Sequence, residues 1–252
     1  MLTLPVVCQL NGVVFAIILI ALGGAITMFW GMWIVMASEK TNSDSIEFMA
    51  GEAFGPKVSK IASYSLIMWL MGYVTSYIIV VKTLLPYLIK RIAKDHLPPV
   101  LEEYEDLFKI MIASFYSIFV LLPFSLPRRI GALRFMSIIG FSCWMFLVGV
   151  ITCIFVFSRK LVPDPIQNLK NADYFIFSPN GVISTFPFII SSYMYQPMIP
   201  TVYKNLENRN LRRMEKVVLR GTNGAVIIYI MIAVFGYLTF VNNEEQLSIL
   251  HK

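Results

Sequence analysis

Charged residues in this chain sit in short clusters separated by long apolar runs. No Asp, Glu, Lys or Arg occurs in Val13–Ala37, Ile61–Val81, Ile110–Pro127, Phe135–Ser158, Tyr174–Tyr203 or Gly221–Asn243. Each run approaches or exceeds the roughly 20 apolar residues that a helix needs to cross a bilayer. They predict membrane helices over about 13–37, 61–89, 108–127, 135–158, 180–203 and 221–242. A further apolar piece, "MLTLPVVCQLN" at 1–11, is too short to cross and is predicted as a half-helix. The fold class that follows is an all-α polytopic membrane protein, a half-helix plus six transmembrane helices in a single domain over 1–252.

Composition supports this reading. Of 252 residues, 57% are hydrophobic and only 14% charged, where soluble domains carry about 25%. Mean hydropathy is +0.70. The start lacks a basic region ahead of its apolar run, so a cleaved signal peptide is not expected. Cys8, Cys143 and Cys153 all fall within apolar runs and read as small buried hydrophobes.

The net charge of +6 comes from loops between spans, with no soluble platform to present it to nucleic acid. Distribution matters more than total. The first, third and fifth loops hold twelve Lys and Arg, against eight in the second, fourth and tail, with Lys82 set apart at a span edge. The positive-inside rule places the richer set in the cytoplasm. The fifth loop, Lys204–Arg220, alone supplies six. Lys82 reads as a snorkelling side chain. In the first loop Ser43 is expected to cap a short interfacial helix ended by Gly51, with Pro56 opening the next helix. His96, beside the Pro98–Pro99 break in the second loop, reads as solvated.

Enzyme chemistry has little to work with. Both histidines, His96 and His251, lie outside the spans, and no span contains Asp or Glu. There is no metal-ligand spacing, no P-loop and no dinucleotide fingerprint. The expectation is a non-enzyme without cofactor or metal. Its partners are the lipid bilayer and a small molecule.

One run is spoiled as a span. "FPFIISSYMYQPMIP" carries Pro187, Pro197 and Pro200 around Ser191, Ser192, Tyr193, Tyr195 and Gln196. Lipid offers no partners to freed backbone groups, so broken helices are tolerated where they line a protein cavity. Pro197 lacks an N–H and clashes with the carbonyl of Tyr193 four residues earlier. The carbonyls of Ser192 and Tyr193 are therefore expected to be free, beside hydroxyls and a carboxamide suited to a zwitterion. A merely kinked structural helix is the competing reading. The half-helix at the start, interrupted by Pro5, is its counterpart. Two interrupted segments at corresponding positions of two repeats point to a transporter site. Counting from the first piece makes the broken run helix six, which fits a five-plus-five inverted repeat.

Several stretches resemble the amino acid/auxin permease family, in its branch of vacuolar and sodium-coupled neutral amino acid transporters. "LTLPVVCQLNG" is similar to the family's first helix. "EFMAGEAFGPKVSKIASYSLIMWLMGYVTSYIIVVKTLLP" is similar to its loop and third helix, and "LPFSLPRRIGALRFMSIIG" to its fourth-to-fifth join. "TFPFIISSYMYQPMIPTVYKNLENRNLRRMEKVV" is similar to its sixth helix and following loop, and "FGYLTF" to its seventh helix. Gln196 stands where members commonly have His. The resemblance implies a partial five-plus-five transporter fold, incomplete at both ends, and secondary active transport of amino acids by alternating access. It implies substrate contact by Ser191, Ser192, Tyr193 and Gln196, with Ser76, Tyr77 and Thr3 as further candidates. For each hydroxyl the alternative is a bond to a carbonyl one turn back. Gly72 and Ser76, at i and i+4, would let another helix approach closely. Either Na⁺ or H⁺ fits as coupling ion, and either the plasma membrane or a vacuolar or lysosomal one as location. The rival readings are a truncated product that inserts without transporting, an amino-acid-sensing receptor and a channel.

Overall fold

The computed structural model describes residues 3–93, 105–125, 130–159, 162 and 164–241. His96, Pro98, Pro99 and His251 lie outside them, as do residues 94–104 of the second loop. The chain forms two compact units, Met1–Gly55 with Gly140–Lys252, and Pro56–Ile139.

The first unit begins with α1 (Leu4–Asn11), turns once at Gly12 and continues as α2 (Val13–Thr41). Pro5 lies in the first turn of α1, where its missing N–H costs nothing. It therefore opens the half-helix and does not interrupt it, a correction to its assignment as a helix-breaker. The break is Gly12, at φ +77°, where a Cβ would lie 2.7 Å from the Phe175 nitrogen. Extended residues 173–176 stitch this junction. Asp173 and Tyr174 carbonyls accept from the amides of Val13 and Val14 at 2.9 Å, and Ile176 N–H donates to the Asn11 carbonyl at 3.0 Å. The opening amides of α2 are thereby satisfied without water.

Past Asn42, in the left-handed region at φ 50°, Ser45 caps α3 (Ile46–Phe54), and Gly55 ends it at φ +92°. The cap is Ser45, not Ser43, and Gly51 lies inside the helix. Ser43 is occupied otherwise, its hydroxyl donating to the Thr41 carbonyl at 3.2 Å. Pro56 does open the next helix, in the second unit.

That unit holds α4 (Pro56–Ala93), then α5 (Glu105–Tyr116), a π turn at Ser117–Leu121 and α6 (Leu122–Ser125). Over its described residues, 108–125, the expected span at 108–127 is helical with one widened turn. α7 (Ile130–Phe157) passes from the second unit into the first. The first unit resumes with the short α8 (Pro165–Asn171), then α9 (Pro179–Ser192), a 3₁₀ turn at Gln196–Met198, α10 (Ile199–Lys204) and α11 (Leu211–Phe240).

Four uninterrupted helices among the described residues are long and apolar enough to cross a membrane: Val13–Thr41, Pro56–Ile89, Ser137–Phe157 and Leu211–Thr239. The expected run at 180–203 is two helical pieces, and 108–127 carries the π turn. The protein is an integral, multi-pass helical membrane protein.

In the first unit α2 and α1 both pack on α11, and α1 packs on α9. Two apolar clusters hold these contacts. One joins Leu4, Val7, Ile20, Ile189, Tyr193, Tyr229 and Ala233. The other joins Val35, Ile199, Tyr203, Met214 and Val218. Small residues on α2 set the spacing. A Cβ on Gly23 would meet the Ile189 side chain at 2.5 Å, and one on Gly24 would meet Val226 at 2.4 Å.

Candidate functional site

The site worth building is the gap between α9 and α10. Its backbone follows from two missing donors. Neither Pro197 nor Pro200 has an N–H to offer Tyr193 or Gln196, so regular helix cannot run through. Tyr193 N–H still reaches the Ile190 carbonyl, at 3.1 Å, and closes α9. The chain then turns through Tyr193–Tyr195 before the 3₁₀ turn begins at Gln196. Pro200 falls in the first turn of α10 and is accommodated there. Pro187 is different. It lies inside α9, which continues through it, so it does not break the helix as expected. The next turn back is held from outside: Asn11 Nδ2 donates to Thr185 Oγ1 at 3.2 Å, linking α1 to α9 in the core.

The freed carbonyls are not vacant, which corrects the expectation from the prolines. The Tyr229 hydroxyl, on α11, donates to the Ser192 carbonyl at 2.6 Å. The Tyr193 carbonyl accepts from Tyr195 N–H at 3.0 Å. Ser191 and Ser192 both direct their hydroxyls to the Phe188 carbonyl, at 3.0 and 2.8 Å. Tyr193 is buried at 3% exposure, and its hydroxyl donates to the Ile20 carbonyl on α2 at 3.0 Å. Tyr195 pairs with Thr222 of α11 at 2.7 Å. Tyr193 and Tyr229 rings lie 5.0 Å apart, and Trp144 approaches Tyr229 at 5.5 Å. The gap is thus pinned to α2 and α11 through three tyrosines.

Gln196 stands apart. It is half-buried at the start of the 3₁₀ turn, and its carboxamide has no protein hydrogen bond among the described residues. Of the candidates in this segment it has a polar side chain still to be satisfied.

The remaining candidates are placed as follows. Thr3 precedes α1, half-buried, without a side-chain capping bond. Ser76 and Tyr77 belong to α4, in the other unit. Ser76 bonds the Gly72 carbonyl one turn back at 3.0 Å, and Tyr77 is exposed with its ring 5.9 Å from Tyr73. A Cβ on Gly72 would meet open space, so no helix approaches it among the described residues. An apolar cleft of about 480 Å³ lies in the same unit, lined by Leu85, Ile89, Phe108, Met111, Phe115 and Tyr116. Apart from the Tyr116 hydroxyl its lining side chains are apolar, a poor match to charged amino and carboxyl groups.

Sequence reasoning missed Asn11, Thr185, Thr222 and Tyr229. Asn11 is fully buried with its Oδ1 unpartnered among the described residues. The one available signal was a polar residue inside an apolar run, which marks helix-to-helix bonding in membranes. Tyr229 gave none, because tyrosine is ordinary in such a run.

The comparison with known proteins now bears on this geometry. The family model described as transmembrane amino acid transporter protein matches residues 1–251. The chain belongs to that family. Its curated relatives include sodium-coupled neutral amino acid symporter 2 of Danio rerio, 25% identical over 260 residues, covering 94% of this chain and 49% of the relative. The chain thus spans about half the length of that relative. No solved structure matches. The resemblance read from the sequence is therefore correct at the level of family. Such membership makes this a transporter-family chain and not a member of an enzyme family.

Proposed function

We propose that this chain carries part of the path of a secondary active transporter for neutral amino acids, with substrate held at the α9–α10 gap. The family and the gap together support this reading, and one observation carries it. A polar break at Tyr193–Tyr195, inside one apolar run, leads into a 3₁₀ turn whose first residue, Gln196, has no protein hydrogen bond to its carboxamide among the described residues, within a chain of amino acid transporter kind. Such segments persist in membranes where they line a cavity. Neutral substrates and sodium coupling follow the name of the fish relative; proton coupling is the alternative. Gln196, Ser191 and Ser192 remain the residues for substrate contact, the two serines after rotating away from Phe188. Tyr193 acts from behind, as an anchor to α2. Thr3, Ser76 and Tyr77 are secondary candidates. Alternating access would move the segment relative to the rest of the protein.

A second reading is a structural kink without ligand. It is favoured by the internal bonding of Ser191, Ser192 and both freed carbonyls. One experiment separates the two. In a full-length transporter bearing this chain, uptake of radiolabelled neutral amino acids is measured with sodium or choline outside, for wild type and Gln196→Leu. The transport reading expects sodium-dependent, saturable uptake that falls several-fold in the variant at equal surface expression. Undiminished uptake in Gln196→Leu overturns the placement of the site. No saturable uptake by wild type overturns the function.

A further inference from the structure

α11 is longer than a span, and its excess is basic. Its last twenty residues, from Gly221 to Phe240, carry no charge, and at 1.5 Å per residue they match a hydrocarbon core of roughly 30 Å. The ten before them hold Arg212, Arg213, Lys216 and Arg220 against Glu215 alone. This end of α11 is fixed in place: Met214 and Val218 are buried against Val35, Ile199 and Tyr203.

The cations here divide into two kinds. Lys204 pairs with Asp44 at 2.6 Å. Arg209 donates to Asn42 Oδ1 at 2.9 Å and covers the Tyr203 ring at 4.6 Å. Arg213 donates to the Glu207 carbonyl at 3.2 Å. Arg212, Lys216 and Arg220 are exposed, and no side-chain partner is found for them among the described residues. Their spacing is i, i+4, i+8, one stripe along one helix face. Like charges at that spacing oppose the helix, and Glu215, three positions after Arg212, is the one acidic residue of these ten to offset them. Arg220 meets the start of the apolar segment, Lys216 lies about 6 Å further out and Arg212 about 12 Å. The headgroup layer is roughly 5–8 Å deep on each side. Two cations therefore sit within it, and the long arm of the third reaches back to it.

We infer that Arg212, Lys216 and Arg220 form a binding face for anionic phospholipid headgroups of the adjoining leaflet. Phosphodiester oxygens of successive lipids balance the positive charge that Glu215 alone leaves in excess on this stripe. The occupant is lipid and not a soluble anion, because continuity with the apolar segment holds the stripe in the headgroup plane. Its strength should vary with salt, since these side chains are exposed.

The test needs no transport activity. The chain is reconstituted in phosphatidylcholine bilayers with a trace of spin-labelled phosphatidylserine or spin-labelled phosphatidylcholine, and the motionally restricted fraction of each is read by electron spin resonance. Wild type should favour phosphatidylserine at 50 mM salt and lose most of that preference at 500 mM. Arg212→Gln with Lys216→Gln and Arg220→Gln should abolish it, by about five-fold per cation at most. Arg212→Lys with Arg220→Lys should keep it, as should Lys170→Gln in a different loop. If the triple variant misfolds, Lys216→Gln alone should still show a partial loss. Inorganic phosphate should compete no better than chloride of equal ionic strength; stronger competition would make this a soluble-anion site and overturn the lipid assignment. Equal restriction of the two lipids by wild type, or preference retained in the triple variant, overturns it too.

Discussion

The Tyr229 hydroxyl donates to the carbonyl of Ser192 at 2.6 Å. That carbonyl is the acceptor the next helical turn would have used, had α9 continued. A residue of α11 thus supplies the donor that the broken helix lacks, and Tyr193 ties the same turn to Ile20 of α2. The unwound segment is held, with the Ser192 and Tyr193 carbonyls both bonded, between two helices that also pack on each other.

Removing only the Tyr229 hydroxyl tests this. Tyr229→Phe keeps the ring against Tyr193 and Trp144 but strands the Ser192 carbonyl. The expected loss is roughly 1–2 kcal/mol, equivalent to a few degrees in the unfolding midpoint for a chain of this size. Thermal unfolding of the detergent-purified protein, followed by tryptophan fluorescence, measures it. An unchanged midpoint would mean that another donor replaces the hydroxyl.

Glycine spacing on α2 gives a paired prediction. Gly24 has no room for a side chain, because its Cβ would lie 2.4 Å from Val226 Cγ2, a stiff β-branched group. Gly24→Leu should destabilise by about 1–3 kcal/mol through overpacking. Gly72→Leu, in the open face of α4, should leave the midpoint within error. Equal effects of the two substitutions would show that α2 is not packed as described.

Gln196 bears on chemistry more than stability. Gln196→His keeps a hydrogen-bonding group but adds a titratable one. Transport by a full-length version should persist and acquire a pH dependence between about 5 and 8. A pH profile identical to wild type would place residue 196 away from the substrate.

How much of this was legible beforehand differs by element. The helices were, because charge-free runs announce spans, and the gap at Tyr193–Tyr195 was, because Pro197 and Pro200 each delete a local donor. Pro56 and its turn were equally local. What failed was non-local or permissive. Pro187 removes one donor, yet α9 continues through it with Thr185 held by Asn11. Pro5 meets no cost in a first turn. Ser43 and Ser45 are equivalent by composition, and the backbone decides between them, turning the Ser43 hydroxyl back to the Thr41 carbonyl and the Ser45 hydroxyl to the Phe48 amide. The expectation of free carbonyls failed because the partner of the Ser192 carbonyl, Tyr229, lies 37 positions away, and because the Tyr193 carbonyl turns to the Tyr195 amide.

The link between the α2–α3 turn and the end of α10 carries a pH prediction. Asp44 is held below its ordinary pKa, first by the hydrogen bond from Lys204, then by backbone hydrogen bonding. A depressed carboxyl pKa means that its contribution is present above the unfolded value near 3.9 and lost as pH falls through the folded value. The pair should therefore hold at neutral pH and release only below about pH 4. Both side chains are exposed, so its effect is local. Asp44→Asn should speed trypsin cleavage after Lys204 at pH 7.5 relative to wild type. Identical cleavage rates would show that the pair does not restrain this loop.

Orientation can be tested on the same loop. Six Lys and Arg from Lys204 to Arg220 predict a cytoplasmic position. Asn208 is an unsuitable reporter, since its φ of 51° favours Asn over Cys. Glu207 is exposed with ordinary backbone, so Glu207→Cys is preferable. Lys170, exposed on α8 in the fourth loop, serves as the opposite reporter. Each is introduced singly after replacing Cys8, Cys143 and Cys153. In intact cells an impermeant maleimide should label Lys170→Cys, provided that loop faces the medium, and spare Glu207→Cys until the membrane is permeabilised. In sealed vesicles of an internal membrane the cytoplasmic face is outward, and the order should invert. Labelling of Glu207→Cys from the medium in intact cells would reverse the assignment and place the cationic stripe of α11 in the outer leaflet.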